Sequence, residues 1–344
     1  MAKRSGTSRR RSHKKRNRIL LVLALLVTAY AVLWLITPSV EEYYGDGSQS
    51  GVIAGLEIPM LEEGDELIIH TGFSLVYDEE HEQARWVAYE LTRDEVFGIY
   101  ERGDNFRPDR SIRTGSADLA DYRGSGYDRG HLIPAADLSW SEQAMSDSFY
   151  MSNMSPQEPS FNRGIWASLE AVIRNFAAVE GAVHVVTGPV LTDGPYETIG
   201  ENEVSIPQYY YKVILDYVEP EKKAIGFLLP NEGSREDLAT FATTVREVEQ
   251  VTGIDFFPLL PDEEQEYLET RYDVSAWQMD EFRASRAERE AYAHDSTSVA
   301  IPQKEDGTVA LVRQFIDQLM VQTKREVRSF IRSFDIPLLD SLPL

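Results

Sequence analysis

Residues 19–36 (ILLVLALLVTAYAVLWLI) form an uncharged apolar run, and no other feature restricts the fold of this 344-residue chain so strongly. As a helix rising about 1.5 Å per residue, the run approaches the hydrocarbon thickness of a bilayer. Tyr30 and Trp34 suit its far interface, and Pro38 closes it. A buried core helix and a cleaved signal peptide are the other readings, but the run is long for a signal peptide and TPSVEEYYGDG offers no small-x-small cleavage site. The 18 residues before it hold nine Lys/Arg and no acid, which places 1–18 in the cytoplasm and everything after Pro38 outside it. The expectation is a single-pass signal anchor in the cell membrane, with an extracytoplasmic body.

That body is acidic. The net charge of −23 includes the nine basic residues at the start, so the remainder carries 25 basic against 57 acidic residues. Such a balance opposes tight non-specific nucleic-acid binding, which draws on phosphate neutralisation, yet a local basic cleft is enough for catalysis on an anion. The chain has no cysteine, so disulfides, thiolate metal sites and cysteine nucleophiles are excluded, and any metal must sit on oxygen or histidine.

Residues 39–62 read as an acidic, flexible tether, and a principal domain is expected over 63–261. LIIHTGFSLVYD and ARWVAYELT alternate around an EEHEQ turn and predict a β-hairpin. Residues 101–127 read as a surface loop. Helical spacing spans 164–179, strands are expected in AVHVVTGPVL, YYYKVILDYV and AIGFLLP, and a helix near 235–251. Strands and helices without a regular βαβ rhythm indicate α+β. Residues 262–344 read as a charged, irregular linker followed by an amphipathic helix over 309–334.

The chemistry concentrates in YDRGHLIPAAD (127–137), FYMSNMSPQEPSFN (149–162) and NRGIWASLE (162–170). A histidine such as His131 titrates near neutrality and can accept a proton from water. Asn162, Trp166 and Glu170 are spaced i, i+4, i+8, so a helix starting near Asn162 would align them on one stripe. Asn162 would then offer an amide oxygen to a hard cation, although asparagine is also a routine helix cap, and Trp166 is better suited to core packing.

Together, DRGH, then N-x-x-P-Q with Asn153 leading it, then N-x-x-x-W-x-x-x-E, resemble the DNA/RNA non-specific endonuclease family, and within it the endonuclease G-like branch. RWVAYEL, NFRPDRSI, ADYRGSGYDRGHL, SDSFYMSNMSPQ, VVTGPVL and IPQYYYKVIL extend the similarity over about residues 66–260, in family order. The resemblance implies a ββα-metal (His-Me finger) nuclease domain with a mixed or antiparallel sheet. It implies that His131 is the general base, Asn162 the direct ligand to Mg2+ (Mn2+ serving equally) and Glu170 a ligand through water. Asn153 would orient groups beside His131, and Arg129 would sit near the phosphate. Arg102, with Arg107 its rival, would be the upstream phosphate-binding arginine. The implied reaction is hydrolysis of DNA and RNA to 5′-phosphate products with slight sequence preference, by a chain that forms a homodimer. The opposing readings are a catalytically silent envelope protein binding nucleic acid or a partner on the same fold, and a phosphodiesterase acting on small or lipid-linked phosphates.

The charge asymmetry makes a direct prediction. A reporter fused after Leu344 should be active only outside the cytoplasm, and activity inside it would overturn the expected orientation.

Overall fold

Alternating apolar residues build three sequential strands, β1 (Leu67–His70), β2 (Phe73–Asp78) and β3 (Gln83–Thr92). The computed structural model describes residues 55–296. The expected single strand over LIIHTGFSLVYD is broken at Thr71-Gly72, where Gly72 takes φ +90°, a value that suits glycine in a tight hairpin turn. β4 (Asp128–His131), β5 (Met154–Gln157), β6 (Ala182–Pro189), β7 (Thr198–Ile199), β8 (Val204–Ser205), β9 (Tyr209–Asp216), β10 (Lys223–Pro230) and β11 (Ala242–Thr243) follow. Seven of them form an antiparallel sheet in the order β1-β2-β3-β6-β9-β10-β11, while β4 pairs with β5 and β7 with β8.

Both faces of the large sheet are buried. Val87, Tyr89, Val185, Ile214 and Phe227 belong to one core cluster, together with residues of the long helix Ala167–Glu180. Their strand neighbours Trp86, Ala88, Val186, Val213 and Leu215 belong to a second cluster on the opposite face. The result is an α+β domain with helices on both faces of an antiparallel sheet. Leu56 and Ile58 lie fully buried in the second cluster, so the stretch expected to act as a tether gives way to packed structure by Gly55.

The helices are short where polar caps stop them. They are α1 (Arg93–Val96), α2 (Leu119–Tyr122), α3 (Glu142–Asp147), α4 (Pro159–Phe161), α5 (Ala167–Glu180), α6 (Val245–Thr252), α7 (Asp262–Glu269) and α8 (Arg286–Ser296). The helix expected near 235–251 starts only at Val245, because Thr244 and Glu247 form a capping box and Asp237 caps a separate 3-10 turn upstream. The expected surface loop at 101–127 is tied down from within. Asp109 accepts hydrogen bonds from Ser152 Oγ (2.6 Å) and pairs with His70 Nε2 (2.8 Å), all three groups being shielded from solvent.

Packing continues past Pro261, where an irregular charged segment was expected. Leu268 of α7 enters the second cluster, and Arg246 joins Glu249 (3.0 Å) on α6 to Glu269 (2.8 Å) on α7. Trp277, only 4 % exposed, sits 4.6 Å from Phe176 of α5 in the first cluster. Among the described residues no helix is long and apolar enough to cross a membrane. The basic segment 1–18, the span at 19–36 and the amphipathic helix at 309–334 lie outside the described residues.

Because Trp277 is buried by both α5 and the sheet, Trp277→Ala should cost about 3–5 kcal/mol, the usual penalty for deleting a buried aromatic. Urea unfolding measures it; an unchanged midpoint would show that the segment after Pro261 is an independent appendage.

Candidate active site

The small β4–β5 pair and the helix after it carry all three sequence segments singled out above. His131 stands opposite Met154, and Gly130 opposite Ser155. A Cβ on Gly130 would fall 2.1 Å from Gln157 Cδ, so this close approach of the strands requires glycine next to the histidine. His131 is 7 % exposed and lies edge-to-face with Phe106 (5.7 Å) and Phe149 (5.0 Å), which also pack on each other at 4.9 Å. Its Nε2 is buried without a hydrogen-bond partner.

The charges that reach His131 are positive. Burial lowers its pKa most, Arg102 and Arg129 add to the effect, and the imidazole is driven from 6.5 to about 3. Arg102 lies 5.3 Å over the Phe149 ring and Arg129 4.2 Å over the Phe106 ring, so the two aromatics that box in the histidine also seat both cations. Neither guanidinium makes a hydrogen bond or ion pair among the described residues. Arg107, the rival upstream arginine, is committed elsewhere: it donates to Asn105 O, Ser146 O and Ser146 Oγ, pairs with Asp147 and stacks 3.8 Å over Tyr150.

Asn153 is fully buried, and its amide acts entirely on backbone. Its Oδ1 accepts from Ile133 N (3.0 Å), and its Nδ2 donates to Ile133 O (3.0 Å) and Ser148 O (2.9 Å). Its reach to His131 is therefore indirect, through the chain two residues beyond the histidine.

Asn162 closes α4, whose first turn is capped by Glu158. The expected stripe of Asn162, Trp166 and Glu170 does not form, because Asn162–Trp166 is a π-turn in which Gly164 takes φ −113°, ψ −112°. The backbone kinks at Gly164, Trp166 packs in the core against Phe161 (5.2 Å), and Asn162 and Glu170 remain half-buried. Asn162 Nδ2 donates to Asp128 Oδ2 (2.9 Å), and Asp128 also receives Arg163 (2.8 and 2.6 Å). With its nitrogen so occupied, Asn162 presents its amide oxygen as the remaining acceptor.

Glu170, in the first turn of α5, has its pKa raised by burial, opposed by Lys212 and Arg174, reinforced by Asp137, and again opposed by Arg102. Arg102 thus acts on both His131 and Glu170. Lys212 of β9 is fully buried, donating through Nζ to Leu132 O and Thr187 Oγ1 (both 3.1 Å) and lying 4.5 Å over Trp166. Arg174 donates to Asp137 (2.8 Å), which also receives Tyr89 OH (2.9 Å). Lys212, Arg174, Asp137 and Asp128 were missed in the sequence. The available signals were a lysine inside the apolar run YYYKVILDYV and an arginine one helical turn after Glu170.

The donors that Asn162 and Glu170 offer, an amide oxygen and a carboxylate, are oxygen alone and fit a hard divalent cation of the magnesium type. The three-carboxylate group Glu249, Asp255 and Glu269 belongs instead to the α6–α7 packing that Arg246 bridges.

The family model of DNA/RNA non-specific endonucleases matches residues 56–263. The chain is 35% identical over 259 residues to mitochondrial nuclease EXOG of Danio rerio, covering 71% of this chain and 74% of that one. It is 36% identical over 200 residues to human mitochondrial endonuclease G, covering 54% and 67% respectively. A solved structure of EndoG with EndoGI superposes with a TM-score of 0.55 at 32% identity, over 60% of this chain and 89% of that chain.

The depressed pKa of His131 has a stability consequence whose sign is fixed. The unfolded histidine takes up a proton near pH 6.5 and the folded one only near 3, so stability complete above pH 6.5 declines as pH falls between those values. Unfolding free energies at pH 7 and pH 5 should therefore fall more for the parent chain than for His131→Gln. Equal losses would mean that the imidazole is not held neutral.

Proposed function

Because the chain belongs to the DNA/RNA non-specific endonuclease family, a family of hydrolytic nucleases, we propose that it cleaves phosphodiester bonds of DNA and RNA with little regard to sequence. One observation carries this reading: a neutral histidine flanked by two arginines whose guanidiniums make no hydrogen bond or ion pair among the described residues, in a chain otherwise rich in acid. A phosphodiester is the anion that would complete such a site, and contact with phosphate alone carries no base information.

His131 is the general base. Its low pKa leaves the imidazole free to accept a proton from the attacking water at neutral pH. Arg129 and Arg102 receive the phosphoryl oxygens, whose negative charge offsets the two cations that otherwise oppose protonation of His131. Asn153 holds the strand exit that positions the histidine, and Asp128 orients Asn162. Asn162 and Glu170 would hold magnesium, with manganese an equal fit to the oxygen donors. The metal would supply a Lewis acid for the charge that develops on the phosphoryl oxygens and on the leaving 3′ oxygen. Departure of that oxygen leaves 5′-phosphate products. The proposal includes an anchor at 19–36 with the domain outside the cytoplasm, supported by the basic segment before the span.

Plasmid digestion by the purified variants tests the division of labour. His131→Ala should lower turnover by roughly 10² to 10⁴ with binding nearly intact. Asn162→Ala should weaken metal dependence itself, so raised magnesium restores part of the rate. Glu170→Gln should cost roughly 10- to 100-fold. Near-parental cleavage by His131→Ala, in a preparation free of other nucleases, would overturn the assignment of the base.

A further inference from the structure

Beside the site lies a cleft of about 570 Å³ that the reaction above does not use. Its walls include Tyr127, Tyr196, Pro207, Tyr209, Pro230 and Asn231. Two of these are tied to the active site. Tyr127 directly precedes Asp128, the residue that orients Asn162. Asn231 accepts from Glu158 N (2.8 Å) and donates to Pro156 O (3.0 Å), joining the opposite wall to the β5–α4 corner that delivers Asn162.

The chemistry of the lining points to a flat, uncharged ligand. No lysine or arginine contributes to the cleft, and Glu197 and Glu232 do, so a phosphate group is repelled from it. Three tyrosines and three prolines are among the residues that line it. Tyr209 is 40 % exposed, although it opens a strand whose following residues are buried. Tyr196 is held in place: its hydroxyl donates to Asp193 Oδ1 (2.6 Å) and accepts from Asp193 N (3.0 Å), and its ring lies edge-to-face with His81 at 5.1 Å. Rigid, exposed aromatic faces are the usual platform for a nucleobase, since every base has a π-face and stacking needs no sequence-specific hydrogen bonds.

A polynucleotide whose phosphate meets Arg129 and His131 continues on both sides of that phosphate, and one side runs along the wall that Tyr127 and Asn231 share with the site. We propose that this cleft is a nucleobase subsite, which receives an unpaired base flanking the scissile phosphate and stacks it on Tyr209. A paired base in a duplex cannot enter, so the subsite favours single-stranded DNA and RNA over duplex without reading sequence. This inference rests on the nuclease reading and specifies how the same site treats strandedness.

The test is binding, measured on the detergent-solubilised full chain carrying His131→Ala, so that no cleavage is needed. Fluorescence anisotropy compares a short labelled single strand with the same strand annealed into duplex. Tyr209→Ala should weaken single-strand binding roughly tenfold, the size of one base–aromatic stack, and leave duplex binding unchanged; Tyr209→Phe should retain both. Equal weakening on both substrates, or none on the single strand, would overturn the subsite. If the His131→Ala chain binds neither substrate, the subsite falls too. Plasmid cleavage by the otherwise unaltered chain reports separately on the nuclease reading, so failure of one is not mistaken for failure of the other.

Discussion

The ammonium of Lys212 is the interaction on which the site's geometry turns. A fully buried charge is costly unless it is paired and hydrogen-bonded, and every partner that satisfies this one belongs to a different part of the site. Leu132 O fixes the exit of the strand that carries His131, Thr187 fixes the neighbouring strand, and the Trp166 ring fixes the π-turn. Burial lowers the pKa of Lys212 to about 8, a fall that the negative charges of Glu170 and Asp137 limit. Sheet, histidine strand and metal-side helix are therefore locked to one another by a single side chain in the core.

Around that anchor the electrostatics divide into two compartments. On the α5 side Glu170, Asp137, Arg174 and Lys212 compensate each other, and carboxylates and cations are balanced. On the β4 side, Arg102 and Arg129 lie over Phe149 and Phe106 beside a neutral histidine, and each also reaches one carboxylate electrostatically, Glu170 and Asp128 respectively. This explains how a strongly acidic chain keeps an anion-receptive site. The positive potential is local, seated on aromatic faces, and shielded from the acidic surface by a low-dielectric box.

Two backbone departures set the chemistry's geometry. Gly130 lets β4 pass against Gln157 closely enough to bring His131 under its aromatic cover. Gly164 opens a π-turn that separates Asn162 from the face on which Trp166 packs, so that one helix can bury an indole and still present an amide oxygen outward. The two glycines act differently: at Gly130 a side chain would collide with Gln157, whereas at Gly164 there is open space and the backbone angles themselves depart from the helix.

The sequence by itself determined the class of fold and most strands, and its motifs singled out His131, Asn153, Asn162 and Glu170 as the candidate site residues. Alternation and motif spacing are local properties, and a DRGH or an N-x-x-P-Q keeps its order whatever the chain does elsewhere. It misjudged the limits of elements where a cap or a turn residue decides them, at Thr71-Gly72 and at Thr244. Only the tertiary structure shows that Arg107 is engaged by Ser146, Asp147 and Tyr150 while Arg102, the candidate the sequence reading preferred, is not so engaged. It alone revealed that Asn153 works through backbone, that the i, i+4, i+8 stripe is broken, and that Lys212 stands at the centre. Charge compensation in a core is set by what distant strands and helices bring within a few ångströms, and no linear pattern encodes that distance.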